Sequence, residues 1–162
     1  MSDIMGWITP EFEELVEVAK KKIKKELSIE PKAQIHLTDK EGLIKRFIEE
    51  LEEKKIPEEE IQLFRKKYIT RTIGKYFSKE DEILILSEEG EDLETIIHEF
   101  LHSIQKCRPN REGIVDYLTF KITGTKKYIE PYELENWLEI EKTNGYKKIK
   151  ERLLTQGDCE EF

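Results

Sequence analysis

The chain has 162 residues, of which 40% are charged and 37% hydrophobic, and its formal net charge is −8. That length buries a core without disulfide or metal staples. The negative balance excludes a duplex nucleic-acid partner, which needs a basic face, and no apolar stretch approaches the ~18 residues of a membrane span.

The first element predicted is a helix. Thr9-Pro10 supplies a cap and a first-turn proline, and Phe12, Leu15, Val16, Ala19, Ile23 and Leu27 recur at helical spacing. The lysines at 20–22 and 24–25 read as its solvated face. A short strand is expected over 33–37, with His36 on it and no role assigned to that ring. Asp39 opens a helix carrying Leu43, Ile44, Phe47, Ile48 and Leu51, and Pro57 opens another with Ile61, Phe64 and Tyr68 on one side. Strands are predicted over 70–77 and 83–86, joined by the polar turn Ser78-Lys79-Glu80-Asp81. Asp92 caps the next helix, expected to run to about 106. Pro109-Asn110 turns the chain into a helix that Gly124 ends, Pro131 starts another that Gly145 stops, and a last helix covers 147–156. The order predicts one α+β domain over 1–162, in which 1–91 supplies the first helices and a small mixed sheet. The remainder, 92–162, supplies a central helix and a helical C-terminal half.

That central helix carries His98-Glu99-Phe100-Leu101-His102, an HExxH run holding two of the chain's three histidines. Positions i and i+4 share a helix face, so both imidazoles reach one metal ion, with Glu99 beside them. Leu93, Ile96, Ile97, Phe100, Leu101 and Ile104 make the helix apolar on most sides, as in a buried element. A catalytic zinc takes three protein ligands. The connection over 106–111 is short, so the helices flanking it should run antiparallel. Glu112 then faces His102 and is the candidate third ligand, while Asp116 faces His98 and can accept its other N–H. Glu130, Glu133 and Glu135 are rivals for the third position. Two imidazoles and one carboxylate suit zinc.

HExxH followed by Glu112-x-x-x-Asp116 resembles the gluzincin branch of zinc metallopeptidases. The resemblance implies a zincin-like fold, with His98, His102 and Glu112 as ligands of Zn2+, Glu99 as general base and Asp116 as the carboxylate behind His98. Upstream, Gly74-Lys75-Tyr76-Phe77 and Ile83-Leu84-Ile85-Leu86 resemble the strand pair that precedes the active-site helix of small zincin domains. Downstream, Glu112-Gly113-Ile114-Val115-Asp116-Tyr117-Leu118-Thr119 is similar to a segment of small prokaryotic metallopeptidases. The compact archaeal minigluzincins are the nearest in size. The likeness covers the chain from about Thr70 onward, and the spacer between His102 and Glu112 is shorter than in thermolysin-like enzymes.

The expected function is zinc-dependent hydrolysis of a peptide or protein substrate. Glu99 would take a proton from the attacking water and pass it to the departing amine. Tyr128 or Tyr132 is the candidate second oxyanion donor, and strand 83–86 is a candidate edge for substrate pairing. The competing expectation is a latent or catalytically silent metal-binding or regulatory protein, with the acidic tail Asp158-Cys159-Glu160-Glu161-Phe162 lying in the cleft. Peptide deformylase is excluded, because its cysteine ligand lies upstream of the motif and both cysteines here follow His102. A purely structural helix is disfavoured, since burying unpaired His and Glu is costly. Nothing at the N-terminus reads as an export leader, so the cytoplasm is the expected compartment, with Cys107 and Cys159 as free thiols. The wealth of Lys, Glu and Ile with few amides matches proteins of hot-living prokaryotes.

Overall fold

Strand β4 (Glu82–Leu86) reads Glu-Ile-Leu-Ile-Leu and sends apolar side chains to both faces, which only a strand covered on both sides can hide. In the computed structural model, which describes residues 6–108 and 112–162, β4 lies inside a four-stranded mixed sheet. It pairs in parallel with β2 (Gln34–Thr38) and antiparallel with β3 (Gly74–Phe77). A two-residue strand, β1 (Gly6–Trp7), pairs with the far side of β2 and completes the order β1-β2-β4-β3. Ile83 and Ile85, with Ile35 and Leu37, join the main core formed with α1 (Pro10–Leu27) and α4 (Leu93–Ile104). Leu84, Leu86 and Phe77 pack the other way, on Leu43 of α2 (Lys40–Glu53). The sheet is thus covered on both faces, and α4 is buried against one of them.

Local chemistry accounts for most of the helices. The Thr9 hydroxyl accepts from the Phe12 amide at 3.2 Å and opens α1, whose buried residues are Phe12, Val16, Ala19, Ile23 and Leu27. The Asp39 carboxylate accepts from the Gly42 amide at 2.7 Å and opens α2 in the same way. Helix α3 (Glu58–Lys67) places acids in its first turn and bases in its last, matching the helix dipole. Gly124, at φ 77, supplies the left-handed cap that ends α5 (Gly113–Thr123). After α5 come α6 (Pro131–Asn144) and α7 (Tyr146–Leu153).

Several predicted boundaries move. Residues 70–73, predicted as strand, do not join the sheet, which begins at Gly74. Ile69, 1% exposed, is drawn into the core instead, and a 3-10 turn over Ile69–Arg71 closes through the Thr72 amide to the Ile69 carbonyl. Helix α4 stops at Ile104 because the Lys106 amide turns to the Leu153 carbonyl at the end of α7. Helix α7 ends at Leu153 rather than 156, where the Arg152 guanidinium donates to the Thr155 carbonyl at 3.0 Å. The turn predicted at Pro109-Asn110 lies outside the described residues.

The cysteines are the larger correction. Cys107 and Cys159, expected as free thiols, form a disulfide across a sequence separation of 52. Backbone pairing brings them together: the Cys159 amide donates to the Arg108 carbonyl at 2.9 Å, and the Arg108 amide donates to Gly157. Among the described residues, no helix is long and apolar enough to cross a membrane.

Candidate metal centre

Asp92 caps α4 by accepting from the Thr95 amide at 2.7 Å, and the helix is buried continuously from Glu94 to Leu101. His98 is 2% exposed and Glu99 6%. Helix α5 returns antiparallel beside α4, in the register its short connection predicts. His98 Nε2 lies 2.9 Å from Asp116 Oδ1, and one turn on, His102 Nε2 lies 3.7 Å from Glu112 Oε1. The second distance is longer than a hydrogen bond. The donor atoms of His98, His102 and Glu112 all lie within 4.8 Å of one another, so the trio can hold a metal ion. Glu130, Glu133 and Glu135 do not belong to this group. A buried ring, a half-buried ring and an exposed acid meet here: the Glu112 side chain is 66% exposed, which opens one side of the trio to solvent.

Each imidazole is also held from behind. Asp116 takes one nitrogen of His98, and Gln105 Oε1 lies 3.2 Å from His102 Nδ1. The Gln105 amide in turn donates to the sulfurs of Cys159, at 3.3 Å, and Cys107, at 3.6 Å. The disulfide therefore touches a side chain that touches a histidine of the trio. Sequence reasoning missed Gln105, although its i+3 spacing from His102 on a helix end was legible. Tyr128 lies face to face with His98, ring centroids 4.0 Å apart at 16°. Buried Glu94 fixes that stack: it accepts from the Lys127 amide at 2.8 Å and from the Thr125 hydroxyl, tying the α5–α6 connection to the first turn of α4.

The charges around His98 are coupled. Burial alone lowers its proton affinity, but hydrogen bonds to Asp116 and Glu99 prevail and hold its pKa up at about 10. Burial raises Glu99, yet the His98 contact outweighs it and leaves that carboxyl below its ordinary range. The His102 ring likewise lowers Glu112, with Lys75 contributing from across the opening. Asp116 moves the other way, raised chiefly by burial.

Glu99, His102 and Glu112 form one end of an open cleft with a volume of about 490 Å3. The rest of its wall comes from β3, α2 and the end of α3 with the turn that follows. Gly74 of β3 passes close to the motif: a Cβ there would stand 3.2 Å from Glu99 Cγ. Two expectations fail at this cleft, and the two nominated tyrosines lie off its lining. The Tyr128 hydroxyl is bonded to Thr95 Oγ1 at 2.7 Å, and Tyr132 is 71% exposed on α6; neither lines the cleft. Strand 83–86 has no free edge, because β2 and β3 flank it; β3 is the edge beside the motif. The C-terminal tail packs elsewhere, held by the disulfide and by Phe162 against the Trp137 ring at 6.0 Å.

No protein-family model, curated protein or solved structure matches this chain.

Proposed function

We propose that this chain is a zinc-dependent peptide hydrolase in which Glu99 is the general base. The observation that carries the reading is the meeting of Glu99 with the His98–His102–Glu112 trio at the end of an open cleft. Its donor set fits zinc: two imidazoles and one carboxylate is a common catalytic ligand set, and it leaves a coordination position open. When bound, zinc supplies Lewis acidity, acidifying water and polarising a carbonyl.

The chain's own residues do the remainder. Asp116 and Gln105 orient the two rings by holding one nitrogen of each; His102 turns its other nitrogen towards Glu112, while the other nitrogen of His98 lies 3.2 Å from Glu99, a contact that an ion bound there would replace. Glu99, depressed below the ordinary carboxyl range, is ionised at neutral pH and accepts the proton of the attacking water. It then carries that proton to the amine of the cleaved bond. The β3 edge beside the cleft offers backbone groups to an extended substrate. The resemblance of the HExxH and Glu112-x-x-x-Asp116 pattern to gluzincins supports the same reading.

Glu99→Gln tests it. The variant should bind zinc stoichiometrically while cleavage of quenched peptides falls by at least about 10²-fold. Cleavage at the parental rate would rule out Glu99 as base.

A further inference from the structure

The wall opposite the trio is built from two unlike kinds of group. Phe47, Phe64 and Tyr68 form a continuous aromatic shelf, with centroid separations of 5.6 Å and 4.9 Å. Tyr68 is 58% exposed at the end of that shelf, so its ring is open to a partner. Lys67, Arg71 and Lys75 line the same cleft. Lys75 has Glu50 at 4.0 Å and lies 5.1 Å above the Phe47 ring. Lys67 and Arg71 make no ion pair among the described residues. The lining thus carries three cations against the two acids Glu99 and Glu112, a local excess of positive charge in a chain of net charge −8.

We propose that the cleft selects peptide segments carrying a carboxylate next to an aromatic or large apolar side chain. This deepens the reading of the chain as a peptide hydrolase and rests on it. The carboxylate pairs with Arg71, whose planar fork matches its two oxygens, with Lys67 and Lys75 adding field. The apolar neighbour stacks on Phe64 and Tyr68. A nucleic acid is a poor fit, because the chain's net charge is −8 and three cations in one cleft do not track a phosphate backbone. A dianionic phosphate fits less well than a carboxylate, since Glu99 and Glu112 close the same space and repel the second charge.

The carboxylate has two sources, an Asp or Glu side chain or the peptide's own C-terminus, and the test separates them. The Glu99→Gln chain, whose turnover should fall by at least about 10²-fold, is titrated with labelled peptides and followed by fluorescence anisotropy, with and without zinc. The peptides are a Glu-Phe sequence, its Gln-Phe counterpart, and each of these with a free or amidated C-terminus. We expect at least one carboxylate to improve affinity about tenfold, an advantage that shrinks between about 50 and about 500 mM salt. Loss of the advantage on Glu-to-Gln exchange identifies the side chain as its source, and loss on amidation identifies the terminus; either supports the proposal. Arg71→Ala, at an exposed position that the fold does not need, should remove most of the advantage, and Arg71→Lys should restore part of it. Equal binding of all four peptides, no binding of any, or an advantage unchanged in Arg71→Ala would overturn it. Hydrolysis is judged separately with wild-type protein: cleavage without carboxylate preference defeats this inference alone, while carboxylate-selective binding without cleavage defeats the hydrolase reading alone.

Discussion

Gly74 and Glu99 share a space too small for one more methyl group. A Cβ at Gly74 would sit 3.0 Å from Ile85 Cδ1 and 3.2 Å from both Glu99 Cγ and Thr95 Cγ2. Gly74→Ala should therefore push the Glu99 carboxylate aside by a few tenths of an ångström, without touching the trio. We expect turnover to fall roughly tenfold with zinc content unchanged, because catalysis is sensitive to small misplacements. An unchanged kcat would mean that the base is not positioned by β3. On the same strand, burial and then the 2.8 Å contact with Asp81 push the Tyr76 phenol from 10.0 up to about 12. The folded state holds that proton more tightly than the unfolded chain does. Its contribution to stability is therefore full below pH 10 and disappears as the pH rises through about 12. Denaturant titrations of the parent and Tyr76→Phe should converge over that alkaline interval; a constant difference would show that Tyr76 does not titrate as described. Single residues were also where the sequence was most legible: Thr9, Asp39 and Asp92 all cap the helices assigned to them, since a cap depends only on its next three neighbours.

At the level of elements, α4 and α5 form the decisive pair. Their register was legible because a short connection leaves antiparallel return as the simple path, and His98–Asp116 and His102–Glu112 follow from it. The sheet was less legible. A continuous apolar strand such as β4 marks burial but not the identity of its neighbours, and the parallel partner β2 arrives from more than forty residues upstream. Residues 70–73 misled through composition, since β-branched side chains suit a core-facing turn as well as a strand. Of the two tyrosines nominated, only Tyr128 reaches the site, and the clamp by which Glu94 lays it on His98 was not foreseeable from the sequence. That clamp predicts a split between two substitutions. Tyr128→Ala removes the ring that braces His98 and should weaken zinc binding about tenfold, within the range for groups behind metal ligands. Tyr128→Phe keeps the ring and loses only the bond to Thr95, so kcat should stay near the parental value. A loss of about 10²-fold in the Phe variant would instead give the hydroxyl an oxyanion role.

Across the molecule, the disulfide was beyond sequence reasoning because Cys107 and Cys159 meet only after α5, α6 and α7 have folded between them. Closing a loop of this separation stabilises by about 4 kcal/mol in the chain-entropy account. The bridge makes residues 107–159 a covalent ring. Glu112 lies inside that ring, whereas His98 and His102 lie outside it. An ion gripping all three would rivet the ring to the helix that precedes it, and Gln105 touches both the disulfide and His102. Neither fastening can then be loosened in isolation. Chelation combined with Cys107→Ser/Cys159→Ser should lower the folding free energy by less than the two separate losses added together. Agreement with the simple sum, within about 0.5 kcal/mol, would show that the rivet and the ring act independently.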